Sequence, residues 1–242
     1  MSQVVDPDQK SISRAQTGVK TRRVLRKKQT PPKPIKKYIW LSGHGATLTF
    51  GAIYFAFYIA KYIFRNKWFW IPWLCYRLSF IGVLASYSIT VLTTFGAIIP
   101  NYYTLLATEN FQNLLLAFVW LISRPSAFKL VPFYIISILQ LSDRFKVGAV
   151  LKIQDSLVDL ITISEVVVFV ALLFDTLIFR GTSGYALAIY TGFYWLRINF
   201  SPYTQSFLLK VIHAIDTKIM AKQSPEIQAK WQKAKDFVEF RR

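Results

Sequence analysis

The sequence predicts an all-α integral membrane protein with two spanning helices, two helical hairpins and C-terminal amphipathic helices. Three observations predict it. Apolar residues make up 53% of the 242-residue chain, and mean hydropathy is positive. They gather into long runs with few formal charges. The charge, +18 from 30 Lys and Arg against 12 acids, crowds outside those runs, into the first 37 residues and the last 40. Such an excess suits nucleic acid, anionic lipid or an acidic partner. Its position beside apolar segments favours the cytoplasmic flanks of a membrane protein, and no specific nucleic acid is expected.

Residues 1–37 form a basic arm with 11 Lys and Arg and two acids. Arg22, Arg23, Arg26, Lys27 and Lys28, followed by a Pro- and Lys-rich stretch, predict an extended, disordered segment. Anionic lipid is its first expected contact, at about 1 kcal/mol per charge near the surface; importin is the second. No cleavable signal peptide is expected, because the chain starts polar and basic.

The membrane domain is placed at 38–200. Trp40 to Ala60 carries no formal charge and is long enough to span, with Gly43-His44-Gly45 expected to loosen its first turn beside headgroup water. Lys61, Arg65 and Lys67 among Trp68, Phe69, Trp70 and Trp73 predict an interfacial connector. Leu78 to Ile99 is the cleanest span, with Arg77 expected to snorkel outward. Phe111–Ser123 and Leu130–Leu141 are short, and Arg124 to Lys129 separates them, which predicts a shallow hairpin. Leu157–Phe179 and Tyr185–Leu196, joined at Gly181-Thr-Ser-Gly184, predict a second hairpin with a short return arm. In it Asp159 and Asp175 are expected at the interfaces. Glu165 is the one deep acid, expected to pair with an arginine or face water.

Residues 201–242 form the tail. Ser201-Pro202 starts a helix with a side-chain cap and proline at the first helical position. Phe207, Leu208, Val211, Ile212, Ile215 and Ile219 recur at helical spacing, and Trp231 continues the stripe after a second start at Ser224-Pro225. Lys210, Lys218, Lys222, Lys230 and Lys233 are candidate basic contacts to lipid or a partner. Such helices lie in the headgroup plane or pack on protein. An even number of crossings puts both termini in the cytoplasm.

The single cysteine, Cys75, forms neither an intramolecular disulfide nor a thiolate metal site alone. His44 and His213 lack metal spacing, so no cofactor or metal is expected, and no catalytic motif is found. The alternatives are a lipid-modifying enzyme using His213 with Asp216, or a channel or transporter using Glu165.

One passage carries a resemblance: Tyr190-x-x-Phe193-x-x-Leu196-Arg197, then Pro202-Tyr203 and the helix of Phe207. With the split segment around Leu114–Leu121 and Pro132-Phe133, it resembles the transmembrane-protein-33 family of endoplasmic-reticulum and nuclear-envelope proteins, which includes fungal pore-membrane nucleoporins. The likeness covers roughly residues 40–222; the basic arm is not a general family feature, and Gln205 stands where relatives carry arginine. The resemblance implies a non-enzymatic organiser of curved reticulum and nuclear-pore membrane, with reticulon-type proteins and nucleoporins as partners.

Overall fold

The computed structural model describes residues 34–64, 70–96, 100–179, 183–220 and 223–239. The basic cluster Arg22–Lys28, Lys222 and the Gly181–Thr182 part of the turn lie outside them. The described residues are α-helical without strands. In order these are α1 (Pro34–Phe64), α2 (Trp70–Phe95), α3 (Tyr102–Ala107), α4 (Glu109–Ile122), α5 (Ala127–Phe145), α6 (Gly148–Leu151), α7 (Gln154–Leu177), α8 (Ser183–Phe200), α9 (Pro202–Lys218) and α10 (Pro225–Glu239). Two of them, α2 and α7, are long and apolar enough to cross a membrane. At 1.5 Å per residue, α2 reaches about 39 Å and α7 about 36 Å, more than the hydrocarbon core of about 30 Å.

The outer surface is more apolar than that of a soluble protein, and polar side chains are buried among the core. Thr47, Ser79, Ser86, Gln112, Asn113, Ser137, Thr162, Glu165 and Arg197 are buried, whereas Ile81, Leu92, Phe118, Phe174, Leu177 and Trp195 are exposed. Lipid is a good solvent for that outer surface, and many of the buried polar groups find partners inside the protein. The hydroxyls of Thr47, Ser79, Ser86 and Thr162 each donate to a backbone carbonyl three or four residues back in their own helix.

Packing contacts link α1 to α2, α2 to α4, α4 to α8, α8 to α7, α7 to α5, and α5 back to α1. These six helices thus close a ring around aromatic side chains that include Tyr76, Phe80, Trp120, Phe133 and Tyr190. The α1–α2 side is the tightest. A Cβ on Gly82 would stand 2.6 Å from the Gly43 carbonyl oxygen, and one on Gly43 would stand 2.7 Å from that of Gly82. Only hydrogen side chains permit such backbone contact, the usual way helices associate where lipid supplies no hydrophobic drive. The Thr47 hydroxyl also reaches the Ser79 carbonyl at 3.3 Å.

Several expectations are corrected. The arm was expected to be extended to residue 37, yet Pro34 to Lys37 form the first turn of α1, where proline is pre-organised for a helix. The Gly43-His44-Gly45 turn is not loosened or wet. His44 is buried, its Nδ1 lies 3.0 Å from Ser137 Oγ, and its ring meets Trp40 edge-on. Trp70 and Trp73 belong to α2 rather than to a connector. Arg77 lies within α2 with its guanidinium over the Trp73 ring, 5.3 Å from its centre. The return arm of the second hairpin does not stop at Leu196; α8 continues to Phe200, because the Arg197 charge that seemed to end it is neutralised inside the protein.

The split segment forms two helices, α4 and α5, joined through Ser123–Ser126, but the expected hairpin is corrected: α4 packs chiefly on α2 and α8, and α5 on α1 and α7, rather than on each other. Lys129 secures the connection. Its Nζ donates to Ser123 Oγ at 3.1 Å and to the Arg124 carbonyl at 3.0 Å, and lies 4.7 Å from the centre of the Trp120 ring. A buried ammonium here serves the carbonyl-rich C-terminus of α4, where cations are favoured. The α5 helix is longer than its apolar run, since Ser142, Asp143 and Arg144 extend it before Lys146 stops it in the left-handed region at φ 55°.

Candidate functional site

The site is built around Arg197. Tyr190, Phe193 and Arg197 recur at intervals of three and four, so α8 presents them on one face. All three are buried. The Tyr190 hydroxyl donates to the backbone carbonyl of Glu165 at 2.8 Å, which pins α8 to α7. Tyr190 and Phe193 stack at 5.3 Å, and the Arg197 guanidinium lies 5.1 Å from the centre of the Phe193 ring. The family-like passage is therefore the packing face that carries a charge inward.

Two other helices, α4 and α7, meet that charge directly, and α2 joins through Asn113. Arg197 Nη2 donates to Asn113 Oδ1 on α4 at 2.8 Å and to Glu165 Oε1 on α7 at 3.1 Å. Its Nη1 is 3.5 Å from Glu109 Oε2, in the first turn of α4, where an acid also complements the helix dipole. Asn113 in turn donates to the Tyr87 hydroxyl on α2 at 3.3 Å. The Arg197 and Glu165 side chains are each only 5% exposed. A buried pair of this kind holds where further polar contacts support it, here those of Arg197 with Asn113 and Glu109.

The cluster walls a cavity of about 280 Å³ at one end of the ring, also lined by Gln140, Asp143, Thr162, Tyr203 and Thr204. That end collects the C-terminal parts of α2, α5 and α8 and the N-terminal parts of α4 and α7. The neighbouring His44 on α1 approaches Tyr87 at 6.4 Å. The starts of α1 and α9 consequently lie at the same end of the ring. Glu165 acts here as an ion-pair partner. Asp159, nearer that end, pairs with Lys210 of α9 at 3.0 Å, an exposed bridge of about 1 kcal/mol or less.

The tail residues are placed more variously. Ser201 caps α9, its Oγ accepting the Thr204 amide, and Pro202 sits in the first turn. Phe207, Leu208, Val211, Ile212 and Ile215 are half-buried, since α9 packs on α7 and α8; Ile219 is exposed. The Trp231 indole and the Lys235 ammonium both donate to the Asp216 carboxylate, folding α10 back on α9. The indole first and the ammonium second hold that carboxyl below its usual range. Lys218, Lys230 and Lys233 are exposed, as are Pro202 and Tyr203, whereas Leu196 is half-buried. His213 is exposed, and its proposed enzymatic partner Asp216 is engaged by Trp231 and Lys235. Among the described residues no group of three His, Cys, Asp or Glu side chains is placed to hold a metal.

Glu109, Asn113 and Tyr87 were missed in the sequence. Asn113 carried a signal, being an amide inside an apolar run. The Glu165–Arg197 pair carried a stronger one: both residues are equally far from Gly181 in sequence, so an antiparallel hairpin sets them opposite one another.

No family model matches the sequence, and no solved structure matches it. Relatives include the uncharacterized membrane protein YGR026W of Saccharomyces cerevisiae, 33% identical, with 90% of this chain and 93% of the yeast protein aligned. Nucleoporin POM33 of Chaetomium thermophilum is 25% identical, with 78% of this chain and 79% of the nucleoporin aligned. Helical composition, exposed apolar flanks and a buried polar interior define an all-α membrane protein. The chain belongs to the transmembrane-protein-33 family, with the yeast membrane protein and the fungal nucleoporin among its members.

Proposed function

We propose that the chain is a non-enzymatic structural protein of the endoplasmic reticulum and nuclear envelope that stabilises curved membrane, including the membrane at nuclear pores. The observation that carries this reading is the likeness to a nucleoporin over about four fifths of both chains. Two features support it. The tail starts at the end of the ring where α1 also starts. Several apolar side chains of the tail, among them Tyr203, Leu209, Ile219 and Ile227, remain exposed beside the exposed Lys218 and Lys230.

A helix held at headgroup depth adds area to one leaflet and favours bending toward that side. The arm adds electrostatic attraction to anionic lipid. Both termini are cytoplasmic in this reading, and reticulon-type proteins, nucleoporins and importin are its partners. The test is the distribution of the fluorescently tagged full chain and of a chain lacking residues 203–242. The full chain is expected at the nuclear rim and tubular reticulum, and the truncated chain spread evenly through the reticulum. Identical distributions would remove the tail from the mechanism; absence of the full chain from both membranes would overturn the reading.

A further inference from the structure

The seam between α1 and α5 has a register that brings two cations together. His44 Nδ1 meets Ser137 Oγ at 3.0 Å, and a Cβ on Gly51 would stand 3.6 Å from Leu130 Cδ2. A step of seven residues along α1 thus matches a step of seven back along α5, two turns of an antiparallel pair. One more such step sets Lys37 opposite Arg144. Both line one groove of about 280 Å³, with Tyr38, Trp40, Leu41 and Phe145. Neither cation has an ion pair or hydrogen bond among the described residues, and the groove lining holds no acid. Asp143, next to Arg144, is taken by Lys146 at 3.2 Å.

Like charges brought face to face repel, and an anion between them turns that repulsion into two attractions. The depth of the pair indicates where the anion comes from. Lys37 immediately precedes the uncharged run of α1, and Arg144 follows soon after the apolar run of α5. Both therefore stand at headgroup level, where basic pockets between membrane helices hold phosphorylated head groups. The floor of the groove is apolar. Trp40 and Leu41 are half-buried in it, while Lys37, Tyr38, Arg144 and Phe145 stand exposed around it. A free phosphate gains nothing from such a floor, whereas an acyl chain does. A zwitterionic lipid brings an ammonium for which the lining has no carboxylate.

We propose that this groove is a binding site for one anionic phospholipid, with its phosphate between Lys37 and Arg144 and its upper acyl chain against Trp40, Leu41 and Phe145. The site differs from the diffuse attraction of the basic arm, because it holds a single lipid at a fixed place. It requires only that the chain is embedded in a membrane, and it stands whether or not the protein bends that membrane.

The test uses the full chain purified in a neutral detergent, with bound lipid counted by native mass spectrometry. Probes are phosphatidylinositol, phosphatidylcholine with the same acyl chains, and glycerophosphoinositol, the head group without chains. The tightest phosphatidylinositol is expected to bind about twentyfold more strongly than phosphatidylcholine, from about fivefold for each cation. Lys37→Gln and Arg144→Gln should each remove about fivefold of that preference. Lys61→Gln, exposed at the other end of α1, should leave it intact. Lys37→Glu should abolish the preference, because its carboxylate pairs with Arg144 in the lipid's place, and should leave the lipid-free unfolding midpoint no lower than the parent's. A lowered midpoint there removes the register on which the site rests. Equal affinity for the two lipids overturns the proposal, as does a preference untouched by Lys37→Gln and Arg144→Gln. Binding of glycerophosphoinositol as tight as that of the lipid overturns it too.

Discussion

At the α1–α2 crossing two backbones touch, whereas at the α4–α7–α8 junction a charged side chain spans the space between three helices. Both solve one problem. Helices in lipid gain little by hiding apolar surface from each other, so close packing and polar bonds must hold them. The Gly43–Gly82 seam works by having nothing in the way and tolerates no added atom. The Arg197 junction works through the bonds its two terminal nitrogens make to Asn113, Glu165 and Glu109. One side of the ring is specified by volume and the other by charge.

Arg197→Ala should break the second side with the largest effect. It strands Glu165, and loss of one partner of a buried pair costs about 3–5 kcal/mol. Unfolding in detergent, followed by tryptophan fluorescence, should show that loss. Arg197→Met combined with Glu165→Leu should recover much of it; a double variant as unstable as the single would show that the stranded charge is not the cause.

Gly82→Ala should break the seam next, by about 1–3 kcal/mol, because the new methyl meets backbone that cannot rotate away. Gly45 is the control: a Cβ there meets nothing within 4 Å. Gly45→Ala should stabilise by about 0.5–1 kcal/mol through helix propensity. Opposite signs at two glycines of this helix pair confirm a seam; equal signs discard it.

Ser201→Ala should cost about 0.5 kcal/mol, the low end for a cap, since the Thr204 amide reaches the Ser201 hydroxyl at 3.4 Å. Hydrogen exchange should speed up in the first turn of α9 and nowhere in the ring. The smallest effect is at Asp216. Its carboxyl is held below the usual range, so the α9–α10 contact is fully present above the unfolded carboxylate pKa and is lost as pH falls through the lower folded value. The Trp231 indole N–H resonance should stay in place down to about pH 4, near the ordinary carboxylate range, and shift below it. Asp216→Asn should shift it at neutral pH.

Sequence legibility follows the range of the interaction. The start of α9 was legible because Ser201 and Pro202 act within one turn. The membrane helices were legible from their apolar runs, but their ends were not. Reading α8 as ending at Leu196 treated Arg197 as a charge seeking water, when its partners sit on α4 and α7. His44 was misjudged likewise, since Ser137 meets it from a distant helix. Within the second hairpin the Glu165–Arg197 pairing could be deduced from symmetry about Gly181. Nothing local connects Asn113 or Glu109 to Arg197; only the closing of the ring does.

Arg197 also sets the timetable of assembly. It arrives on the last helix of the ring, after the helices bearing Glu109, Asn113 and Glu165 have been made. Until α8 enters, those acceptors lack their cation, and the nascent chain carries a polar flaw inside the bilayer that only completion repairs. A chain interrupted before residue 197 displays that flaw permanently. The buried arginine is therefore the last piece of the junction to be made, and α8 completes it.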